Sequence, residues 1–361
     1  MKAASLENPS LMTETLARAG AWFLASGIQE PNGGVARFYR ADLNHKLAVS
    51  TEITGYTASA LMYLHSVTGD ESYLDRARRT SRFLARDAWD ASADNFPFEH
   101  GPGAESMLYF FDCGIIVRGL LAVWRETREQ FLLDRAVDCA RAMVRDFDAQ
   151  NEIHPILALP DKTPIPRDWR WSRNPGCYQL KAALAWRDLA AITGEADFDR
   201  AFSRHLERSL SDYADFLPGS PQPERVMDRL HAFCYFLESL LSCVDDERCA
   251  FALADGIAKV AWHLREISPV FARSDVHAQL LRVRLWAFDT LPLDLDAAQE
   301  EAEALARFQL ESSDPRINGA FSFGTRQGEV IPHINPVSTA FALQALHMWH
   351  SRTLPPLEAL I

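Results

Sequence analysis

EITGYTASALMYLHSVTGDESYLDRARRTSRFL (52–84) holds the unit from which the whole chain is built. Its first half, 52–65, is apolar on nearly every side, the pattern of a helix buried all round. Its second half, 68–84, is amphipathic. Between the two, Gly69 stops one helix and the acidic residues after it start the next, which is common helix-end chemistry. The stretch reads as a helical hairpin with one inner and one outer arm.

The inner arm recurs at 111–124, 174–186, 230–243, 275–288 and 335–349. Each copy opens on a polar residue and continues apolar. Aligned on one mostly small position, the copies superpose Gly55, Gly114, Cys177, Cys234, Gln279 and Ala340. Gln279 fits this alignment worst, because it is not small. The outer arm recurs at 127–143 and 193–210, sharing the core Asp75-Arg76-Ala77, Asp134-Arg135-Ala136 and Asp199-Arg200-Ala201. Gly194 repeats the role of Gly69. Further outer helices are expected near 10–26, 247–266 and 295–309. FPFEH (96–100) and FSFG (321–324) are the only strand-like pieces, and both are short. The pattern predicts an all-α fold, a six-hairpin α/α toroid of twelve alternating outer and inner helices, as a single domain over 1–361. An open solenoid would need polar capping repeats. The last inner helix is as apolar as the others, which favours a closed ring.

The 361 residues are 48% hydrophobic and 24% charged, an ordinary globular composition. The formal net charge is -12, from 49 acidic and 37 basic residues. Such a balance speaks against nucleic acid as a partner, since phosphate binding needs a basic face. The six cysteines contain no CxxC pair. Cys113, Cys177 and Cys234 fall in apolar runs, where a thiol acts as a small hydrophobe. A reducing, cytoplasmic compartment is expected. MKAASLENPSLMTETLARAGAWFL (1–24) does not follow the secretory pattern, and no run nears the roughly 20 apolar residues of a membrane span.

The connections are unequal. Turns from inner to outer arms are short. Those from outer to inner arms are long at 29–51, 95–110, 151–173 and 314–334, and long loops in compact domains are usually functional. All of them precede an inner-helix N-terminus, so they gather at one end of the ring. Unpaired N–H groups and positive dipole ends point there, which favours a carboxylate or a polar sugar. The inner helices open with Glu52, Asp112, Asn174, His231, Asp275 with His277, and Asn335. Polar groups at equivalent positions of a ring converge on one basin. Asn174, Asp275 and Asn335 also suit plain N-caps, and Asp112 suits either role. The loops add Phe38, Tyr39, Phe96, Phe98, Tyr109, Trp169, Trp171, Phe321 and Phe323, which can stack on sugar rings or plug the loops onto the core. They also add Arg37, Arg40, Arg170, Arg173 and Arg326, which can pair with a substrate carboxylate or with neighbouring acids.

Twelve alternating helices with TGD-type turns resemble the six-hairpin glycosidase superfamily. Within it, YFFDCGIIVRGLLAVW (109–124) is similar to the WxDxxxM-type helix start of unsaturated uronyl and rhamnogalacturonyl hydrolases. That resemblance implies a general acid/base role for Asp112. The flanking aromatic and Met positions of the motif are not kept here, where Phe110, Phe111, Cys113 and Gly114 stand. A rival resemblance exists. WFLASGIQEPNGGVARFYR (22–40) and RFQLESSDPRINGAFSFG (307–324) are similar to the Gln-Trp repeats of terpene cyclases, without the DxDD acid motif. Lanthionine-cyclase-like toroids hold zinc on a Cys/Cys/His set. Here His231 and Cys234 share a helix without a paired ligand, so no metal and no cofactor are expected. Glucuronyl epimerases, which also use an α/α domain, would draw on Tyr39, Tyr56, Tyr109 and Tyr178.

The expected function is a carbohydrate-active enzyme that hydrolyses an acidic or oligomeric glycan. Asp112 and Glu52 would form the acid/base pair, with His231 orienting substrate or sharing proton transfer. Inverting chemistry needs carboxyls about 6.5–9.5 Å apart. Substrate would be held by Arg37, Tyr39, Phe98, Trp169, Arg170, Trp171, Asn174, Tyr178, His277, Phe323, Arg326 and Asn335. An epimerase, lyase or cyclase, or a glycan-binding protein without catalysis, remain alternatives. The expected partner is a small molecule or an oligosaccharide, and the oligomeric state is not legible.

Overall fold

The computed structural model describes residues 9–103, 106–149 and 152–361. The start of the chain, read above for a secretory pattern, lies outside the described residues up to residue 8.

Among the described residues, twelve α-helices follow one another as outer and inner arms. The outer ones are α1 (Pro9–Ala25), α3 (Glu71–Arg82), α5 (Gln130–Ala142), α7 (Ala196–Asp212), α9 (Glu247–Ile267) and α11 (Leu295–Ala306). The inner ones are α2 (Thr51–Thr68), α4 (Phe110–Thr127), α6 (Leu180–Thr193), α8 (Pro223–Leu240), α10 (Ser274–Trp286) and α12 (Pro336–Ser351). Each inner helix packs on the next, and α12 packs back on α2. The ring is therefore closed. No helix among the described residues is long and apolar enough to cross a membrane.

The inner-to-outer turns are as short as the sequence implies. Gly69 (φ 71°) and Gly194 (φ 74°) end α2 and α6 in the left-handed conformation, which glycine adopts without steric cost. Asp70 then caps α3 through the Ser72 N–H. The Asp-Arg-Ala repeat also has a physical meaning. Ala77, Ala136 and Ala201 are buried against the inner ring. Arg76 donates to the Leu24 carbonyl and Arg135 to the Ala85 carbonyl, so each ties its hairpin to the end of the preceding outer helix. Arg200 does not follow. It pairs with Asp197 on the surface, while Arg204 and Arg208 reach back to Asp148.

Two helix starts differ from expectation. The inner arm read from 230 begins at Pro223, two turns earlier, with proline at the first helical position, where its missing N–H costs nothing. The arm read from 174 begins only at Leu180, after 3-10 turns at Trp171–Arg173 and Cys177–Gln179. The outer-to-inner loops hold more strand than FPFEH and FSFG announce: eleven strands of two or three residues among the described residues. Of these, β1 (Tyr39–Arg40) pairs with β11 (His333–Ile334), joining the first loop to the last across the closure. Local pairing of loop to loop needs no long alternating run.

Candidate active site at the amino rim

Three layers of polar and aromatic side chains run down the axis of the ring. Helical spacing of three to four residues stacks them on the same face. On α2, Glu52 stands one turn above Tyr56. On α8, His231 stands above Tyr235, which stands above Glu238. On α10, Asp275 stands above Gln279, then Arg282. The middle layer is aromatic. Tyr56 meets Phe341 edge-on at 5.4 Å, and Tyr235 lies 4.7 Å from Phe111 and 6.3 Å from Phe341. Below it, Lys181, Glu238 and Arg282 form a fully buried ion cluster. The 357–361 segment closes this end, its main-chain oxygens accepting from Arg118, Lys181 and Arg282.

The upper layer carries the titratable groups expected at the helix openings. Asp112 is 4% exposed, and its Oδ2 has no hydrogen-bond partner, a costly state for a buried polar atom. Burial pushes its carboxyl well above the ordinary range, and the nearby Glu52 and Cys113 push further, while Arg37 opposes them. Glu52 is pushed up to about 7, again by burial first, with Arg37 opposing. Glu52 keeps partial solvent contact, so Asp112 is the firmer holder of a proton. Both carboxyls feel one another and the same guanidinium. Arg37 itself lies over the Phe98 ring at 4.9 Å and 3.6 Å from Glu99. Phe98 in turn packs on Tyr109 at 4.8 Å.

Across the basin, His231 Nδ1 donates to Gln279 Oε1 at 2.7 Å and lies 3.5 Å from Asp275 Oδ2. Burial holds the imidazole near pKa 4, despite the opposing charge of Asp275. The ring is thus neutral at pH 7, with its hydrogen on Nδ1 and a lone pair on Nε2. Asp275 accepts two hydrogen bonds from Arg273, at 3.0 and 2.6 Å, and Arg273 also donates to Asp228 at 2.9 Å. Asp275 is therefore a positioning partner as well as a helix-opening residue, its carboxyl held below the usual range by Arg273 and His231 against the effect of burial.

Other expected residues divide sharply. Tyr178 is fully buried beside this basin. Its hydroxyl donates to the Asn174 carbonyl at 3.1 Å, and Asp112 helps push its pKa up. Phe323 lies at the rim, under Arg273 at 4.5 Å and 6.1 Å from His333. Tyr39 turns away, donating to Asn44 under Arg316. His277 turns to the other side of α10, onto Phe308 at 5.9 Å. Two residues after Asp275 is too short a step to stay on one helical face. Arg326 is exposed over Phe271. Asn335 is a plain N-cap, accepting from the Val337 N–H at 2.8 Å. Asn174 spends its amide on the Asp168 and Arg170 carbonyls, and it holds a turn rather than opening a helix. Trp169 and Arg170 stand on the outer wall of the rim, Arg170 paired with Asp168.

Sequence reasoning passed over Arg273, Tyr235 and Gln279. The signal for Gln279 was present as the misfit in the repeat: a large amide where the other copies are mostly small. Nothing marked Arg273, whose partner Asp228 lies 45 residues away.

A cavity of about 670 Å³ opens at the opposite rim between Tyr63, Arg125, Asp188 and Pro356. It faces the carboxyl ends of the inner helices, and Asp188 there is already paired with Arg118 and Arg125. Volume alone does not make it the site. The two raised carboxyls that face one another, Glu52 and Asp112, and the neutral His231 are at the amino rim.

No family model matches the chain, and no curated protein matches it by sequence. Its architecture is shared by solved structures at low identity. A cellobiose 2-epimerase from Spirochaeta thermophila superposes with a TM-score of 0.73 at 14% identity, over 97% of this chain and 99% of that one. A D-mannose isomerase gives 0.70 at 9%, over 98% and 100%. An unsaturated glucuronyl hydrolase from Streptococcus agalactiae gives 0.66 at 11%, over 98% of each. The fold is the six-hairpin α/α toroid.

Proposed function

We propose that this toroid is a carbohydrate-active enzyme that cleaves a glycosidic bond of an acidic or oligomeric glycan, with Asp112 as proton donor and Glu52 as proton acceptor. The observation that carries the reading is the pair itself: two carboxyls on adjacent inner helices, both raised, one sealed and one partly open. Environments that push paired carboxyls upward suit acid/base work near neutral pH. Asp112 gives its proton to the glycosidic oxygen as the bond to the anomeric carbon breaks. Glu52, as carboxylate, takes a proton from the water that adds to that carbon. Solvent exchange then returns Glu52 to the carboxylate and Asp112 to the acid. Arg37 keeps the pair from both holding protons. The structural neighbours named above as acting on sugars support the substrate class.

A second reading, epimerisation or isomerisation of a sugar, is favoured by one specific feature. His231 is pinned by Gln279 and Asp275 with a free lone pair on Nε2, as a base that lifts a carbon-bound proton would be. One experiment separates the two. Glucuronyl disaccharides and neutral disaccharides are incubated with the enzyme in D2O and followed by proton NMR. Hydrolysis releases new reducing ends without deuterium on carbon. Epimerisation places solvent deuterium on a sugar carbon and leaves the linkage whole. Asp112→Asn should lower kcat/KM for cleavage by at least about 100-fold while retaining the fold by circular dichroism. Cleavage at more than half the wild-type rate would remove Asp112 from the acid role.

A further inference from the structure

Outside the basin, on the same rim, a cavity of about 520 Å³ lies between the 169–172 loop and the start of α8. Trp169 forms one wall and is 69% exposed. Large aromatics left in water at a cavity edge commonly mark a binding surface. The Arg225 guanidinium stands 4.1 Å above the Trp169 ring. Among the described residues Arg225 has no acid partner, whereas the neighbouring Arg170 and Arg173 are both satisfied by Asp168. Arg225 belongs to the first turn of α8, whose N-cap Gln222 makes no side-chain capping bond. The positive end of an 18-residue helix adds to the field of the guanidinium, against the Glu224 carboxylate in the same turn. Trp171 and Arg229 complete the walls.

Side-chain contacts link one wall of the cavity to the basin. Asp228 lines the cavity and accepts from Arg273, which holds Asp275 beside His231. On the other side Trp171 meets Tyr178 edge-on at 4.9 Å.

We infer that this cavity is an outer subsite for an anionic sugar unit, a uronate, of a glycan whose reacting unit sits in the basin. The apolar face of the sugar ring lies on the Trp169 indole and its carboxylate pairs with Arg225. An indole offers a flat apolar face, and a guanidinium offers a planar fork that matches a carboxylate. This rests on the sugar-acting reading of the basin and names the chemistry of the substrate it takes.

The test is binding, so that it does not depend on turnover. Isothermal titration is run on Asp112→Asn protein, to keep ligands intact, with a uronate-bearing trisaccharide, its neutral hexose counterpart, the uronate monosaccharide and inorganic phosphate. Arg225→Gln should weaken the acidic trisaccharide about tenfold and leave the neutral one unchanged. Trp169→Ala should weaken both trisaccharides. Both positions are exposed, so thermal melts should match the parent. The subsite is refuted if either variant binds the acidic trisaccharide as the parent does, or if phosphate binds as tightly as the trisaccharide. Failure of the basin reading looks different: cleavage surviving in Asp112→Asn, with these affinities unaffected.

Discussion

A carboxyl at this rim is set by what surrounds it. Arg37 opposes the upward shift of both Glu52 and Asp112. Glu52, the partly open member, serves as base only when ionised, so kcat/KM should fall as pH drops below about 7, where its value lies. Arg37→Gln removes the opposing charge. The acidic limb of the pH profile should then move upward, and a limb that stays in place would detach Glu52 from it. A second residue-scale effect concerns stability. Burial beside Phe110 holds His205 near pKa 4 in the fold, below the ordinary 6.5. Between those values the unfolded chain binds a proton that the fold refuses, so stability is lost as pH falls from about 6.5 toward 4. His231 and His277 act in the same direction. Glu301 and Glu52, raised to about 7, act oppositely and favour the fold as pH falls from 7. His205→Leu should therefore raise stability more at pH 5 than at pH 7.5, by about 2 kcal/mol, read from urea midpoints at the two pH values. Equal gains at both would show that its protonation is not the cause.

At the scale of elements, the closeness of α2, α4 and α6 depends on glycine. A Cβ on Gly119 would stand 2.5 Å from the Gly55 carbonyl, and one on Gly114 would overlap the backbone of Ala182. No rotamer relieves a clash with main chain. Gly114→Ala should cost about 3 kcal/mol by chemical denaturation and should disturb the adjacent Asp112. The same substitution at Gly256, which would meet the flexible tip of Leu237, should cost less. These helices also explain why Gln279 breaks the repeat. Between α8 and α10 the ring needs an acceptor for His231, and a small residue could not supply one.

The whole molecule is held at its far end by charge in a dry interior. Lys181, Glu238 and Arg282 are all within 1% of full burial. Burial pulls the Lys181 ammonium down to about 7, with Glu238 opposing. Removing the shared anion leaves Lys181 and Arg282 with the Gln344 and Ile361 oxygens as acceptors but without the counter-charge of Glu238. Glu238→Ala should destabilise the protein by about 3–5 kcal/mol, seen as a lowered melting temperature. A drop below about 1 kcal/mol would mean that the cluster contributes little. Because α6, α8 and α10 each supply one member, the loss should loosen the ring across three hairpins at once.

The closed ring of twelve helices was readable in advance because each hairpin repeats a local pattern: apolar arm, Gly–Asp turn, amphipathic arm. Local periodicity and turn chemistry act within a few residues, so they are written where they act. The placing of Glu52 and Asp112 at the openings of adjacent inner helices was also readable, and the two carboxyls feel one another; their acid/base role is the proposal above. The direction of individual side chains was not. His277 and Tyr39 were expected inward and point elsewhere, while Asn335 and Asn174 are spent on their own backbone. Arg273 and Asp275 are neighbours at the start of α10, but Asp228 reaches Arg273 from α8, 45 residues away, and the start of α8 lies two turns before its apolar pattern. Such contacts depend on helix rotation and loop path, which the packing of the whole ring decides and no single segment encodes.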